Sequence, residues 1–262
     1  MAMEFVLEAC VDSLSSARAA KEGGATRLEL CANLIIGGTT PSLSLVRRVK
    51  EETGLPVHAL LRPRFGDFLY TQEEFELLLE DGASLLDAGA DALLIPQIRT
   101  VDDIRRLKEY SQYPPIGRRG SGPSRLWDYG DSITQLAAGR DMNRTTNVVV
   151  QLETVQAVEH IDEIVQSDFI DMFFIGPGDL SMDMGIFAQF TNPKLTDTIM
   201  LLREKTAKAG KRLGIFAGSF EAAKNWYAKG FDMCIVNSEL ALLSSAVVGE
   251  LDKLRGALEE MK

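Results

Sequence analysis

Residues 85–98 read LLDAGADALLIPQI. A helical pattern ends at Ala88, Gly89 follows, and after Asp91 a short apolar run, Ala92–Pro96, begins. Glycine just past a last helical turn takes up the left-handed conformation that closes it. The stretch therefore reads as helix end, tight turn and strand. The same punctuation stands at Gly23-Gly24-Ala25 and at Lys229-Gly230-Phe231-Asp232. Repeated turns from helix to strand imply parallel strands, which need helical crossovers rather than hairpins. Working outward, the strand candidates are Phe5–Cys10, Arg27–Cys31, Val57–Leu61, Ala92–Pro96, Val148–Leu152, Met172–Ile175, Leu213–Ala217 and Met233–Val236. Helix patterns alternate with them at Ser13–Lys21, Leu43–Glu52, Glu73–Ala88, Val101–Glu109, Val155–Val165, Leu195–Ala209, Phe220–Ala228 and Glu239–Glu259. Eight such units in 262 residues match an α/β fold of the (β/α)8 TIM-barrel type. An open doubly wound sheet fits less well, because no G-x-G-x-x-G follows the first strand. No Pro/Gly/Ser-rich linker interrupts the chain, so residues 1–262 read as one barrel. The long connection Tyr110–Asn147 is expected to hold an extra helix around Ile133–Arg140.

Composition narrows the function. The chain carries 38 acidic and 28 basic residues, a formal charge of −10, with no basic block. Nucleic acid and anionic membrane surfaces are disfavoured, because both demand clustered positive charge. Apolar runs are strand-length, too short to span a bilayer. The first ten residues carry Glu4 and Glu8 and lack the basic start of a secretory signal. Three cysteines, an odd number, do not suggest a disulfide framework. A reduced, cytoplasmic protein is expected.

Barrel chemistry sits at the C-terminal ends of the strands. There the sequence places Glu8 and Cys10, Glu29 and Cys31, Arg62 and Arg64, Gln97, Gln151 and Glu153, Gly176–Ser181, and Asn237 with Ser238. Glu153 and Asp179 end neighbouring strands, and two carboxylates plus water suit Mg2+ or Mn2+. The alternative is that Glu153 caps the next helix and Asp179 is an N-cap before Leu180. Arg62 stands where it would stabilise a developing enolate; alternatively it pairs with Glu29 or Asp67. The run Arg118–Arg125, RRGSGPSR, reads either as an anion loop or as a loop packed on its own barrel. Cys10 and Cys31 end adjacent strands, as core residues or as a soft-metal pair. Neither His58, early in its strand, nor His160, inside a helix pattern, is placed as a base.

Two resemblances cover different parts of the chain. Residues from about 3 to 80 resemble the CutC copper-homeostasis family in FVLEACVDS (5–13), RLELCANLIIGGTTPS (27–42) and RPRFGDFLYT (62–71). Residues from about 85 to 254 resemble the HpcH/HpaI family of metal-dependent 2-keto-3-deoxy acid aldolases. The words are LLDAGADALLIPQI, YPPIGRRGSGPSR (113–125), VQLET (150–154), FIGPGDLSMDMG (174–185) and GFDMCIVNSELALL (230–243). Both resemblances imply barrels. The chain thus reads as a hybrid, with a CutC-like part over about 1–82 and an aldolase-like part over about 83–262.

The second resemblance implies a role for each matching residue. Glu153 and Asp179 fall on the family's metal ligands. Gln151 lines the pyruvate site, Gly178 and Asp179 receive the pyruvate carboxylate, and Arg62 falls on the catalytic arginine. The family's histidine, in a loop after the second strand, has no counterpart in Leu30–Thr40. The resemblance also implies exchange of C-terminal helices between copies, at Glu239–Glu259, hence a homo-oligomer. The expected function is a divalent-metal lyase, with Mg2+ or Mn2+, acting on a small 2-keto acid and weakened by the missing histidine. The alternatives are a CutC-like copper protein using Cys10 and Cys31, or a hybrid barrel without efficient activity.

Overall fold

The computed structural model describes residues 6–65, 70–119, 143–144, 146–170, 172–236 and 239–260. Eight strands follow one another around a sheet in chain order, each parallel to the next. They are β1 (Glu8–Val11), β2 (Arg27–Leu30), β3 (Val57–Leu60), β4 (Ala92–Ile95), β5 (Asn147–Gln151), β6 (Met172–Ile175), β7 (Arg212–Phe216) and β8 (Met233–Ile235). Arg27 Nη2 on β2 donates to Met233 Sδ on β8 at 3.5 Å, so the sheet curls into a nearly closed (β/α)8 barrel. The expected strands are all present, within a few residues of their expected ends.

Helices fill the crossovers: α1 (Leu14–Glu22), α2 (Leu43–Thr53), α3 (Gln72–Asp87) and α4 (Val101–Ser111). Then come α5 (Val155–Glu159), α6 (Ile161–Ile164), α7 (Pro177–Asp183), α8 (Pro193–Lys208), α9 (Phe220–Ala228) and α10 (Glu239–Glu260). Side-chain oxygens start them where the sequence supplies them. Thr71 with Glu74, and Thr100 with Asp103, form reciprocal capping boxes that satisfy two orphan N–H groups each. Gly89, at φ 105°, adopts the left-handed turn read from the sequence. Two expectations need correction. The pattern Val155–Val165 is two short helices, because His160 leaves helical geometry at φ −97° and ψ 11°. A further helix, α7, follows β6 where only a turn and a helix start were expected. The helix expected at Ile133–Arg140 lies outside the described residues.

Register partners in a parallel sheet share a face, which sorts the strand residues into two sets. One set, including Leu28, Leu30, Ala59, Leu93, Ile95, Val150, Phe173, Ile175, Leu213 and Ile215, meets the helices in the main core. The other faces the barrel axis. On the β4–β8 side the interior is apolar, with Leu94, Val149 and Phe174 packed against Leu60, Met172 and Ile235. On the β1–β3 side the paired positions are Glu8 with Arg27, and Cys10 with Glu29 and His58. Glu8 there bonds Arg27 and receives His58 Nδ1 at 3.1 Å. No described helix is long and apolar enough to cross a membrane.

Candidate active site at the barrel mouth

Glu153 follows β5 and is 2% exposed. Its Oε1 accepts the backbone N–H of Gln97 at 2.9 Å and Gln97 Nε2 at 3.1 Å. Gln151, two residues back on β5, donates its amide to Oε1 at 3.2 Å and Oε2 at 3.1 Å in the orientation that satisfies both its polar atoms. The helix after Glu153 is capped by Thr154, which accepts from Ala157 N at 3.0 Å. Glu153 is therefore no cap, and the structural alternative for it falls.

Asp179 is likewise no N-cap. The cap of α7 is Gly176, Pro177 begins the helix, and Asp179 lies in its first turn. Gly176 brings the two carboxylates together. A methyl group on it would lie 2.6 Å from Glu153 Oε2 and 3.7 Å from Asp179 Oδ2. Only a residue without a side chain leaves that space to the two oxygens. Gly178, one position on, has open space around it and accepts Ser181 Oγ at its carbonyl at 2.7 Å.

The electrostatics follow from this crowding. Burial first, and then the Asp179 charge, push the Glu153 carboxyl up to about 8. Burial also raises Asp179, against the pull of Arg62 and a bond from its own backbone N–H. Arg62 is 7% exposed. Its Nη1 donates to the carbonyls of Ile36 at 3.2 Å and Gly38 at 3.0 Å, so the loop after β2 holds the guanidinium in place. The proposed partner Glu29 lies instead with Glu8, Arg27 and Cys10, and Asp67 lies outside the described residues. Arg62, Glu153 and Asp179 thus form one charge cluster. Tyr70 joins it: burial raises its hydroxyl to about 12, and Arg62 and Glu153 both act on it.

Two nearby like charges that resist ionisation, held by amides and flanked by one guanidinium, fit a hard divalent cation. Mg2+ in particular takes one or two carboxylates and keeps several waters. The described residues hold no group of three or more His, Cys, Asp or Glu placed as ligands, so water and substrate oxygens would complete the shell.

Other candidates lie elsewhere. Arg119 is buried, ion-paired to Asp87 on α3 at 2.5 Å and stacked over Tyr113 at 4.4 Å. It anchors the chain to its own barrel, and Arg118 pairs with Glu109 at 3.5 Å. Residues 120–125, Asn237 and Ser238 lie outside the described residues. Cys31 is buried, and Cys10 bonds it and Glu29. That contact and burial hold the Cys10 thiol far above its usual range, which works against a thiolate ligand. Sequence reading placed Gln97 at a strand end without a role. Its φ of 57°, which aims N–H and side chain together at Glu153, carried no signal, because glutamine rarely marks left-handed backbone.

A family model described as HpcH/HpaI aldolase/citrate lyase matches residues 72–246. The chain belongs to the HpcH/HpaI aldolase/citrate lyase family. The CutC family model matches residues 5–111, so both matches run through 72–111, the span of α3, β4 and α4. A hydroxypyruvate/pyruvate aldolase of Rhizorhabdus wittichii is 36% identical over 63% of this chain and 65% of its own. A copper homeostasis protein cutC homolog of Mus musculus is 47% identical over 34% of this chain and 33% of its own. The chain thus spans less than two thirds of the length of each of these relatives. Among solved structures, an HpcH/HpaI aldolase from Desulfitobacterium hafniense superposes with a TM-score of 0.78 at 22% identity, covering 95% of this chain and 92% of that one. That likeness shows the shared barrel. Glu153, Asp179, Gln151 and Gly178 all lie in the segment matched to the aldolase family, and Arg62 lies in the CutC-matched segment alone.

Proposed function

We propose that the chain is a divalent-metal-dependent lyase of the pyruvate-aldolase type whose favoured reaction is decarboxylation of a 2-keto acid such as oxaloacetate. The carrying observation is Glu153 and Asp179 crowded together over Gly176 with Arg62 beside them. Glu153 and Asp179 would hold Mg2+ or Mn2+, which when bound supplies a Lewis acid for the keto oxygen. Gln97 and Gln151 fix the Glu153 carboxylate through their amides. Arg62 stabilises negative charge that develops at the keto oxygen. The first-turn N–H of Gly178 receives the carboxylate of the keto acid, since early helical N–H groups have no acceptor in their own helix. In oxaloacetate the bond to the terminal carboxylate breaks, carbon dioxide leaves, and its electron pair passes into the enolate of pyruvate, which water then protonates.

The two histidines explain the preference for this route. His58 bonds Glu8 inside the barrel and His160 sits at the break between α5 and α6. Aldol cleavage needs a base for the substrate hydroxyl, and positioned acid–base help is worth on the order of 10²–10⁴-fold. Decarboxylation needs no such base. Two further expectations belong to this reading. The exposed apolar stripe of α10 packs against a second copy of the chain, giving a homo-oligomer. Three free cysteines suit a reducing compartment such as the cytoplasm. The test is oxaloacetate decay with Mn2+, measured against Mn2+ alone. Turnover well above the free-metal rate, falling at least 100-fold in Glu153→Gln, is expected. A rate equal to that of free Mn2+ would contradict the reading.

A further inference from the structure

Arg62 is gripped twice by the loop that joins β2 to α2, residues 31–42. Thr40 N donates to the Arg62 carbonyl at 2.9 Å, and Arg62 N donates to Thr40 Oγ1 at 2.9 Å. Those two bonds fix its backbone. At the far end of the side chain, Nη1 donates to the carbonyls of Ile36 at 3.2 Å and Gly38 at 3.0 Å. Two acceptors on one nitrogen of a charged, planar donor set the direction of the whole guanidinium.

The loop is shaped for this grip. A single 3-10 turn, Leu34–Ile36, is followed by Gly37 at φ 87° and Gly38 at φ 83°. A methyl group on Gly37 would lie 2.9 Å from Arg62 Nη1, so neither its backbone angle nor its surroundings suit a side chain. The carbonyls on either side of it thereby reach the same nitrogen. Ala32 and Thr39 close the base of the loop with reciprocal bonds of 2.8 and 2.7 Å. The start of the turn is held from farther away. Asn33 precedes it in the left-handed conformation and makes no side-chain cap. Asp12, just past β1, does so instead: its Oδ2 accepts the Leu34 N–H at 3.1 Å. A first-turn N–H has no acceptor in its own turn, and a carboxylate is a strong one.

We propose that Asp12 is a positioning residue for the reaction: by capping the Leu34–Ile36 turn it holds in place the carbonyls that aim the Arg62 guanidinium at the barrel mouth. That Arg62 acts on substrate rests on the keto-acid reading of the Glu153 centre; the mechanical link from Asp12 to Arg62 does not. Every part of the link lies within residues 12–62, inside the segment matched to the CutC family alone. The arginine therefore comes with its own support, independent of the segment that supplies Glu153 and Asp179. Loss of Asp12 slows the step in which charge develops at the keto oxygen and leaves the two carboxylates undisturbed.

The test has a structural and a kinetic arm. In a crystal structure of Asp12→Ala, Arg62 Nη1 is expected to have left the Ile36 and Gly38 carbonyls, compared with the unaltered protein. In Mn2+-dependent oxaloacetate decay, kcat of Asp12→Ala is expected to fall on the order of 10–100-fold, as misplacement of a reacting group does. Its Mn2+ affinity is expected to stay unchanged. The double variant with Arg62→Ala is expected to be no slower than Arg62→Ala alone, since residues that act as one unit are not additive. Asp12→Asn, whose amide oxygen still accepts from Leu34, is expected to recover most of the loss. Asp12→Ser, too short to reach Leu34, is measured beside alanine to guard against a folding effect. A guanidinium still on both carbonyls without Asp12, or losses that multiply in the double variant, would overturn the proposal. No metal-dependent turnover in the unaltered protein would overturn the keto-acid reading and Asp12's part in the reaction. A guanidinium displaced in Asp12→Ala would even then uphold the link itself.

Discussion

Gly176 is the tightest point of the mouth. Its φ of −95° is open to any residue, so what matters there is space alone. Gly176→Ala would put a methyl group 2.6 Å from Glu153 Oε2, and the carboxylate would have to swing away from Asp179. The expected result is a folded protein whose Mn2+ affinity in the presence of oxalate falls at least tenfold by calorimetry. Unchanged affinity would show that the two carboxylates do not act together. Glu153 and Asp179 were legible in the sequence, because polar residues just past apolar strands face the mouth of a barrel. What fixes them was not. Gln97 depends on a left-handed backbone, and Gly176 on an approach of two side chains that no local pattern records. Arg119 went the same way: its sequence neighbours suggested an anion loop, whereas its charge is neutralised by Asp87, 32 residues earlier.

At the scale of elements, strand and helix identities were legible because burial is periodic and the turns carry glycine. The break at His160 and the helix Pro177–Asp183 were less so, since both turn on backbone angles within a few residues. The last helix, α10, raises a different question. It presents Leu243, Val247, Leu251 and Leu254 at spacings of three and four, one stripe along its length. Leu243 is 63% and Leu254 55% exposed. The proposed homo-oligomer would cover this stripe. Light scattering after gel filtration is expected to give a mass of two or more 28.8 kDa chains, shifting toward one chain in Leu243→Glu combined with Leu251→Glu. A single-chain mass for the unaltered protein at micromolar concentration would contradict this.

Across the whole molecule, the barrel axis is divided. Apolar side chains fill it beside β4–β8, and charged groups fill it beside β1–β3. Sequence reading put Glu8, Cys10, Glu29 and Cys31 at the ends of the first two strands, but which neighbours would neutralise them depended on register across three strands. Burial, and then Glu8, raise Glu29 to about 8 from an ordinary value of 4.5. A carboxyl raised in the folded state favours folding while protonated, below about pH 4.5. That contribution is lost as pH rises through about 8. Urea unfolding is expected to show stability falling from pH 5 to pH 8.5. Glu29→Gln should remove roughly 2–4 kcal/mol of that fall. An identical slope in the variant would show that Glu29 ionises freely in the fold.

A CutC-like first part and an aldolase-family remainder close one barrel, and the proposed enolate site lies at its mouth. Calorimetric titration of Mn2+ with and without oxalate, a stable mimic of the pyruvate enolate, tests it most directly. Mn2+ binding strengthened by oxalate, and loss of that binding in Glu153→Gln, is the expected result. A folded protein that binds Mn2+ no better with oxalate, or binds it equally in the variant, would contradict it.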